Sequence, residues 1–150
     1  LIDSPAGIEG GFKNAIAPAD HILIVTTPEM SAVRDADRIV GLVEAFEKHH
    51  PRLIINRIKP RMVARGEMMD TTDVVEILAI DLIGIVPDDE TIVTSTNRGE
   101  VAVLDRTSDA GRAFQNIAHR LMGQDVPFLV LDEKQGMWSQ FLNLFRQRRA

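Results

Sequence analysis

Two hydrophobic rhythms alternate along the chain. His21-Ile22-Leu23-Ile24-Val25-Thr26-Thr27 is almost continuously apolar and rich in β-branched residues, ending at Pro28. A strand buried on both faces of a parallel sheet reads this way. From Ser31 to Lys48 the rhythm changes to helical spacing: Val33, Ala36, Ile39, Val40, Val43 and Phe46 recur on one side, charged residues on the other, and Pro51 closes the segment. Leu53-Ile54-Ile55-Asn56 reads as a second strand, Arg57 to Gly66 as a basic loop, and Thr71 or Thr72 as the cap of a short helix through Leu78. Leu82 to Val86, closed by Pro87, reads as a third strand. Strand–helix–strand–helix–strand predicts an α/β fold with a mostly parallel sheet flanked by helices.

Beyond Pro87 the polar stretch Asp88 to Gly99 has helical potential. Ser108 to Met122 carries an apolar helical face, and Gly123 is a natural stop. Phe128 to Leu131 reads as an edge strand or an extended segment. The expected organisation is a domain over 1–131, a polar linker over 132–136 and an amphipathic C-terminal helix within 137–150. At the other end, Leu1-Ile2-Asp3 reads as the close of a buried strand. A strand needs neighbours, and the chain does not open on Met, so the expectation is the C-terminal part of a longer protein, with a sheet incomplete at its N-terminus.

Composition narrows the classes. The 150 residues are 45% hydrophobic and 26% charged, as in globular proteins, and contain no cysteine, which excludes disulfide scaffolds and thiolate chemistry. The net charge of −5 argues against non-specific nucleic-acid binding by the surface as a whole. That charge is uneven, because Arg146, Arg148 and Arg149 form a basic end on an acidic body. Just before them, Trp138, Phe141, Leu142 and Phe145 follow i, i+3, i+4, i+7 spacing. Aromatics beside a basic cluster suit an anionic membrane interface; a helix packed on its own domain is the plainer alternative.

Candidate chemistry gathers at the strand ends. Asp3-Ser4-Pro5-Ala6-Gly7 places a carboxylate where open α/β sheets bind ligands, with a glycine able to approach a phosphate closely. A strand-ending Asp followed by a turn gives the same letters. Asn56 ends the second strand and Pro87-Asp88-Asp89-Glu90 follows the third. Asn can both donate and accept, as an adenine edge requires; the acidic run equally suits a helix N-terminus. No Gly-Lys-Ser/Thr phosphate loop, no metal-ligand histidine spacing and no G-x-S-x-G nucleophile frame occurs.

The run Asp3-Ser4-Pro5-Ala6-Gly7-Ile8-Glu9 resembles the switch segment of the ParA/MinD (deviant Walker A) ATPases. Thr26-Thr27-Pro28-Glu29, Ser31 to Arg38, Ile55-Asn56-Arg57, Gly84 to Asp89 and Ser95 to Glu100 resemble other stretches of the same family's pattern. The aromatic–basic tail is similar to the membrane-targeting helix of the MinD branch. The resemblance implies a P-loop fold and a magnesium-dependent ATPase that dimerises on ATP and binds the membrane. It also implies recruitment of the division inhibitor MinC, and release by MinE where that is present, so placing the septum. It carries Asp3 to the magnesium shell, through water, as the catalytic aspartate, and Gly7 to the γ-phosphate. Asn56 and Arg57 fall on one side of adenine, Pro87 and Asp88 on the other. Implied partners are MinC, MinE, anionic lipid and a second copy, with no specific nucleic acid. The implied location is cytoplasmic, on the inner face of the cell membrane or its plastid equivalent. The family's lysine-bearing phosphate loop has no counterpart here, so these residues alone are expected to be inactive. A ParA-type DNA-segregation ATPase and a non-enzymatic membrane adaptor are the alternatives.

Overall fold

Three parallel strands form the sheet of the computed structural model, ordered in space as in sequence: β1 (Leu23–Thr26), β2 (Arg52–Ile58) and β3 (Asp81–Pro87). The structure describes residues 1–5, 10–105 and 107–131. Six α-helices accompany the strands among these: α1 (Gly10–Ile16), α2 (Met30–Ala45), α3 (Pro60–Ala64), α4 (Thr71–Leu78), α5 (Glu90–Arg98) and α6 (Asp109–Leu121).

Side chains alternate across a strand, so β2 feeds two cores. Leu53 and Ile55 point to one face, where Val33 and Val40 of α2 and Val74 of α4 cover them. Ile54 points to the other, where Ala113 and Ile117 of α6 pack. Leu53, Ile55, Val33 and Val74 are fully buried, each worth about 1.5–3 kcal/mol at full burial. Gly84 lets α6 approach: a Cβ there would stand 2.3 Å from Cγ1 of Ile117. Toward the C-terminal end of the same α2 stripe, Phe12 and Ile16 of α1 bury against Val43.

The β2–β3 ladder slips twice. Leu53 faces Leu82 but Ile54 faces Gly84, so β3 has an extra residue at Ile83. Ile55 faces Ile85 but Ile58 faces Pro87, so β2 has an extra residue at Asn56–Arg57. The two bulges cancel, and the strands leave at the offset at which they entered.

Several expectations change. Leu1-Ile2-Asp3 is not the end of a strand: residues 1–5 lie in no ladder, and Leu1 and Ile2 are exposed. None of the three strands pairs with them, and without a ladder an extended segment has no reason to be buried. β1 is shorter than its apolar run and buried on one face only, with Val25 58% exposed, because no described element covers that residue. The basic loop after Asn56 first completes β2 and then forms α3, with Pro60 in its first turn. Asp70, not Thr71 or Thr72, caps α4: its Oδ1 accepts from the Asp73 N–H at 2.8 Å, and Asp73 answers at the Asp70 N–H at 3.0 Å. Thr71 is instead buried, its Oγ1 unpaired among the described residues. Phe128 to Leu131 joins no ladder and no helix, α5 follows its expectation, and α6 ends just before Gly123. The expected linker and C-terminal helix lie outside the described residues.

Candidate functional site

A parallel sheet carries all its strand C-termini at one edge, and here that edge gathers Thr26, Asn56-Arg57-Ile58 and Pro87-Asp88. Thr26 and Pro87 are buried, Asn56 half-buried, Arg57 exposed. Beyond β1 the Thr27 hydroxyl donates to the Glu29 carboxylate ahead of α2.

The bulge in β2 shapes this edge. Arg57 holds φ +57°, a left-handed conformation unfavourable for a residue with a side chain. The turn is closed by the Asn56 Oδ1, which accepts from the Arg57 N–H at 3.0 Å. The amide nitrogen of Asn56 thereby keeps both its donors free of bonds to described residues. The Arg57 side chain swings toward β3, where its Nε stands 3.1 Å from Asp88 Oδ1, while Lys59 Nζ stands 3.3 Å from Asp88 Oδ2. A backbone bond from the Asp88 N–H to the Ile58 oxygen at 2.9 Å completes the junction. Burial pushes the Asp88 carboxyl up, but the hydrogen bonds and charges of Arg57 and Lys59 outweigh it and hold the group below its ordinary value.

The next carboxylate does something else. Asp89 caps α5, accepting from the Thr91 N–H at 2.9 Å and its hydroxyl at 2.7 Å. Its second oxygen accepts from the Ser108 hydroxyl at 2.8 Å and the Ala110 N–H at 3.2 Å, at the start of α6. Ser108 in turn caps α6 by accepting from the Gly111 N–H at 3.0 Å. Burial raises Asp89, and these hydrogen bonds reverse it to a pKa of about 2. An open cleft of about 340 Å³ lies between Pro87–Thr91 and Thr107–Asp109.

The structure thus brings Asn56, Arg57, Pro87 and Asp88 together. Asp3 lies in the exposed segment at the start, with no hydrogen bond or ion pair to a described residue. Gly7, Trp138, Phe141, Leu142, Phe145, Arg146, Arg148 and Arg149 lie outside the described residues. Sequence reasoning did not single out Lys59 or the Asp89 network. The helix-start letters Asp89-x-Thr91 and Ser108-x-x-Gly111 were a signal for the caps, but not for their meeting.

On the base side of a nucleotide, this edge has the free amide donors of half-buried Asn56, while Pro87 is buried beneath it. The phosphate side does not fit, since no Gly-Lys-Ser/Thr loop occurs in the 150 residues. Among the described residues no helix is long and apolar enough to cross a membrane.

A family model described as 4Fe-4S iron sulfur cluster binding proteins, NifH/frxC family, matches residues 7–141. Such clusters are held by cysteine thiolates, and this sequence has none, so these residues cannot ligate one in that way. The septum site-determining protein MinD of Synechocystis is 57% identical over 130 residues, 86% of this chain and 49% of that protein. MinD of Bacillus subtilis is 47% identical over 150 residues, 99% of this chain and 56% of that protein. The chain therefore spans about half the length of the curated relatives it matches. Among solved structures, the MinC:MinD cell division protein complex of Aquifex aeolicus aligns with TM-score 0.82 and 49% identity, covering 85% of this chain and 53% of that one. MinD of Pyrococcus horikoshii, complexed with Mg-ADP, shares the fold at TM-score 0.67 and 23% identity, covering 79% of this chain and 48% of that one.

Proposed function

The chain belongs to the NifH/frxC family, its curated relatives are MinD proteins, and on that premise we propose that it is part of a septum site-determining ATPase. In this reading residues 1–131 contribute to the ATPase domain, and 137–150 bind anionic lipid through Trp138, Phe141, Leu142 and Phe145 beside Arg146, Arg148 and Arg149. The whole protein binds ATP and magnesium, dimerises on ATP, docks on the inner face of the membrane and recruits MinC, with MinE accelerating release where it occurs. MinC enters because a relative is solved in complex with it.

The observation that carries the reading is the convergence of Asn56-Arg57 and Pro87-Asp88 at adjacent strand ends. Asn56, its oxygen engaged by the bulge, presents amide donors suited to an acceptor nitrogen of adenine. Pro87, buried at the end of β3, forms the floor of that edge rather than a contact surface. Arg57 and Lys59 hold Asp88, and so hold the two strand ends at a fixed spacing. Asp3 is assigned to the magnesium shell through water, and Gly7 to the γ-phosphate. Magnesium, when bound, neutralises charge on the phosphates.

Nucleotide binding by the full-length protein tests this. Asn56→Ala should weaken ATP several-fold and narrow the preference for ATP over GTP, since one neutral hydrogen bond is worth about 0.5–1.5 kcal/mol. Asp3→Ala should slow hydrolysis at least about tenfold. Sedimentation with anionic vesicles should require ATP and be lost in Phe141→Glu. An unchanged nucleotide preference together with unchanged sedimentation would overturn the reading.

A further inference from the structure

Arg120, near the end of α6, is a part-buried guanidinium that makes no salt bridge with a described residue. Each of its three nitrogens donates to a backbone oxygen. Nη1 donates to the Ile83 oxygen at 2.9 Å, Nε to the Val126 oxygen at 2.8 Å and Nη2 to the Pro127 oxygen at 2.8 Å. The Phe128 ring lies across it, its centroid 4.0 Å from the guanidinium carbon. Burial lowers the pKa of the group, with the Asp125 charge acting the other way.

Ile83 is the residue that the β2–β3 register skips. A bulged residue needs a partner from outside the ladder, and the Arg120 fork supplies one donor there and two to the segment that follows α6. Phe128 to Leu131 form no ladder with β3, yet Leu129 packs on the α6 core. Among the described residues, the Arg120 fork and the packing of Leu129 on the α6 core tie the chain between Gly123 and Leu131 to β3 and α6.

We propose that Arg120 is a positioning residue: it straps residues 124–131 to the Ile83 bulge and so fixes where the C-terminal segment leaves the domain. This rests in part on the reading of 137–150 as a membrane anchor. On that reading, with the strap in place the stretch between the held chain and the anchor is 132–136. With the strap released, that stretch runs from 124 to 136. Effective concentration falls roughly as the −3/2 power of tether length, so lengthening it from about 5 to about 13 residues weakens the joint engagement of two anchors about fourfold.

The test uses the full-length protein with Arg120→Ala and Arg120→Lys; the lysine keeps the charge but has no planar fork to span three carbonyls. Chymotrypsin should cut at Phe128 and Leu129 about tenfold faster or more in both variants, since hydrogen bonds from a charged donor are among the stronger ones. ATP-dependent sedimentation with phosphatidylglycerol vesicles should weaken about fourfold, while ATP hydrolysis and nucleotide-free sedimentation stay at wild-type values. Wild-type cleavage rates in both variants would overturn the strap, and so would unchanged ATP-dependent sedimentation despite faster cleavage. Absence of ATP-dependent sedimentation in the wild type would instead sink the membrane reading, leaving the cleavage rates to decide the strap.

Discussion

Asp88 and Asp89 are neighbours in sequence and opposites in environment. Asp88 meets two cations, Arg57 and Lys59, whose side chains are 64% and 43% exposed. Among the described residues Asp89 meets only neutral donors, drawn from the starts of two helices. Exposed ion pairs contribute little energy, because solvent screens them and two long side chains must be ordered. Caps and hydrogen bonds to a half-buried carboxylate contribute more, because their loss strands donors away from water. The Asp88 junction thus sets the spacing of two strand ends at small energetic consequence, while the Asp89 junction holds α5 and α6 to the sheet.

The largest expected effect follows from removing the second. Asp89→Ala should cost about 2–4 kcal/mol, as a lost cap plus unsatisfied donors at the start of α6, and Asp89→Asn less, since one acceptor oxygen survives. Denaturant midpoints measure both. An equal loss from Asp88→Ala would break the contrast.

Acid sharpens it next. The Asp89 pKa is about 2 against an ordinary 3.8. A depressed carboxylate contributes stability that is complete above the unfolded value and lost as pH falls through the folded one, so the window runs from about pH 4 down to about pH 2. The contribution is on the order of 2 kcal/mol. Asp89→Asn should remove that segment of the stability–pH curve; a curve still parallel to wild type would contradict the assignment.

Backbone strain comes third. Arg57→Gly should be more stable than Arg57→Ala by about 1 kcal/mol, since both lose the ion pair and only glycine accepts φ +57° without penalty. Equal stabilities would mean that the bulge relaxes. The smallest effect is that of salt. Asp88→Ala should cost no more than about 1 kcal/mol, and the difference should vanish near 1 M NaCl. A loss insensitive to salt would place Asp88 in the same class as its neighbour.

The legibility of these features in sequence follows from how local their causes are. β2 and β3 bury both faces, so they appear as continuous apolar runs, and α2 is long enough to display its stripe. α1 buries only Phe12 and Ile16, a pair too brief to distinguish from chance. The cap of α4 lies one or two residues before the expected Thr71 or Thr72 because Asp and Thr are both good caps, and only the reciprocal Asp70–Asp73 bonds decide between them. At the candidate site, Asn56, Arg57, Pro87 and Asp88 were legible, because strand ends in a parallel sheet must share an edge. The division of labour between Asp88 and Asp89 was not. It depends on Ser108, nineteen positions further on, and on a bulge that no apolar rhythm reports.

The cancelling bulges of β2 and β3 also bear on how these strands tolerate changes in length. A deletion within a regular ladder turns every later side chain to the wrong face. Here each strand carries one spare residue. A deletion in β2 can be absorbed by closing the bulge at Asn56–Arg57, and a deletion in β3 by closing the one at Ile83, with the two cores left in phase. What each closure gives up is specific: in the first case the arm that Arg57 extends to Asp88, in the second the carbonyl that Arg120 grips. One lost residue would then leave an intact sheet that has forfeited either the tie between its two strand ends or the anchorage of the segment that follows α6.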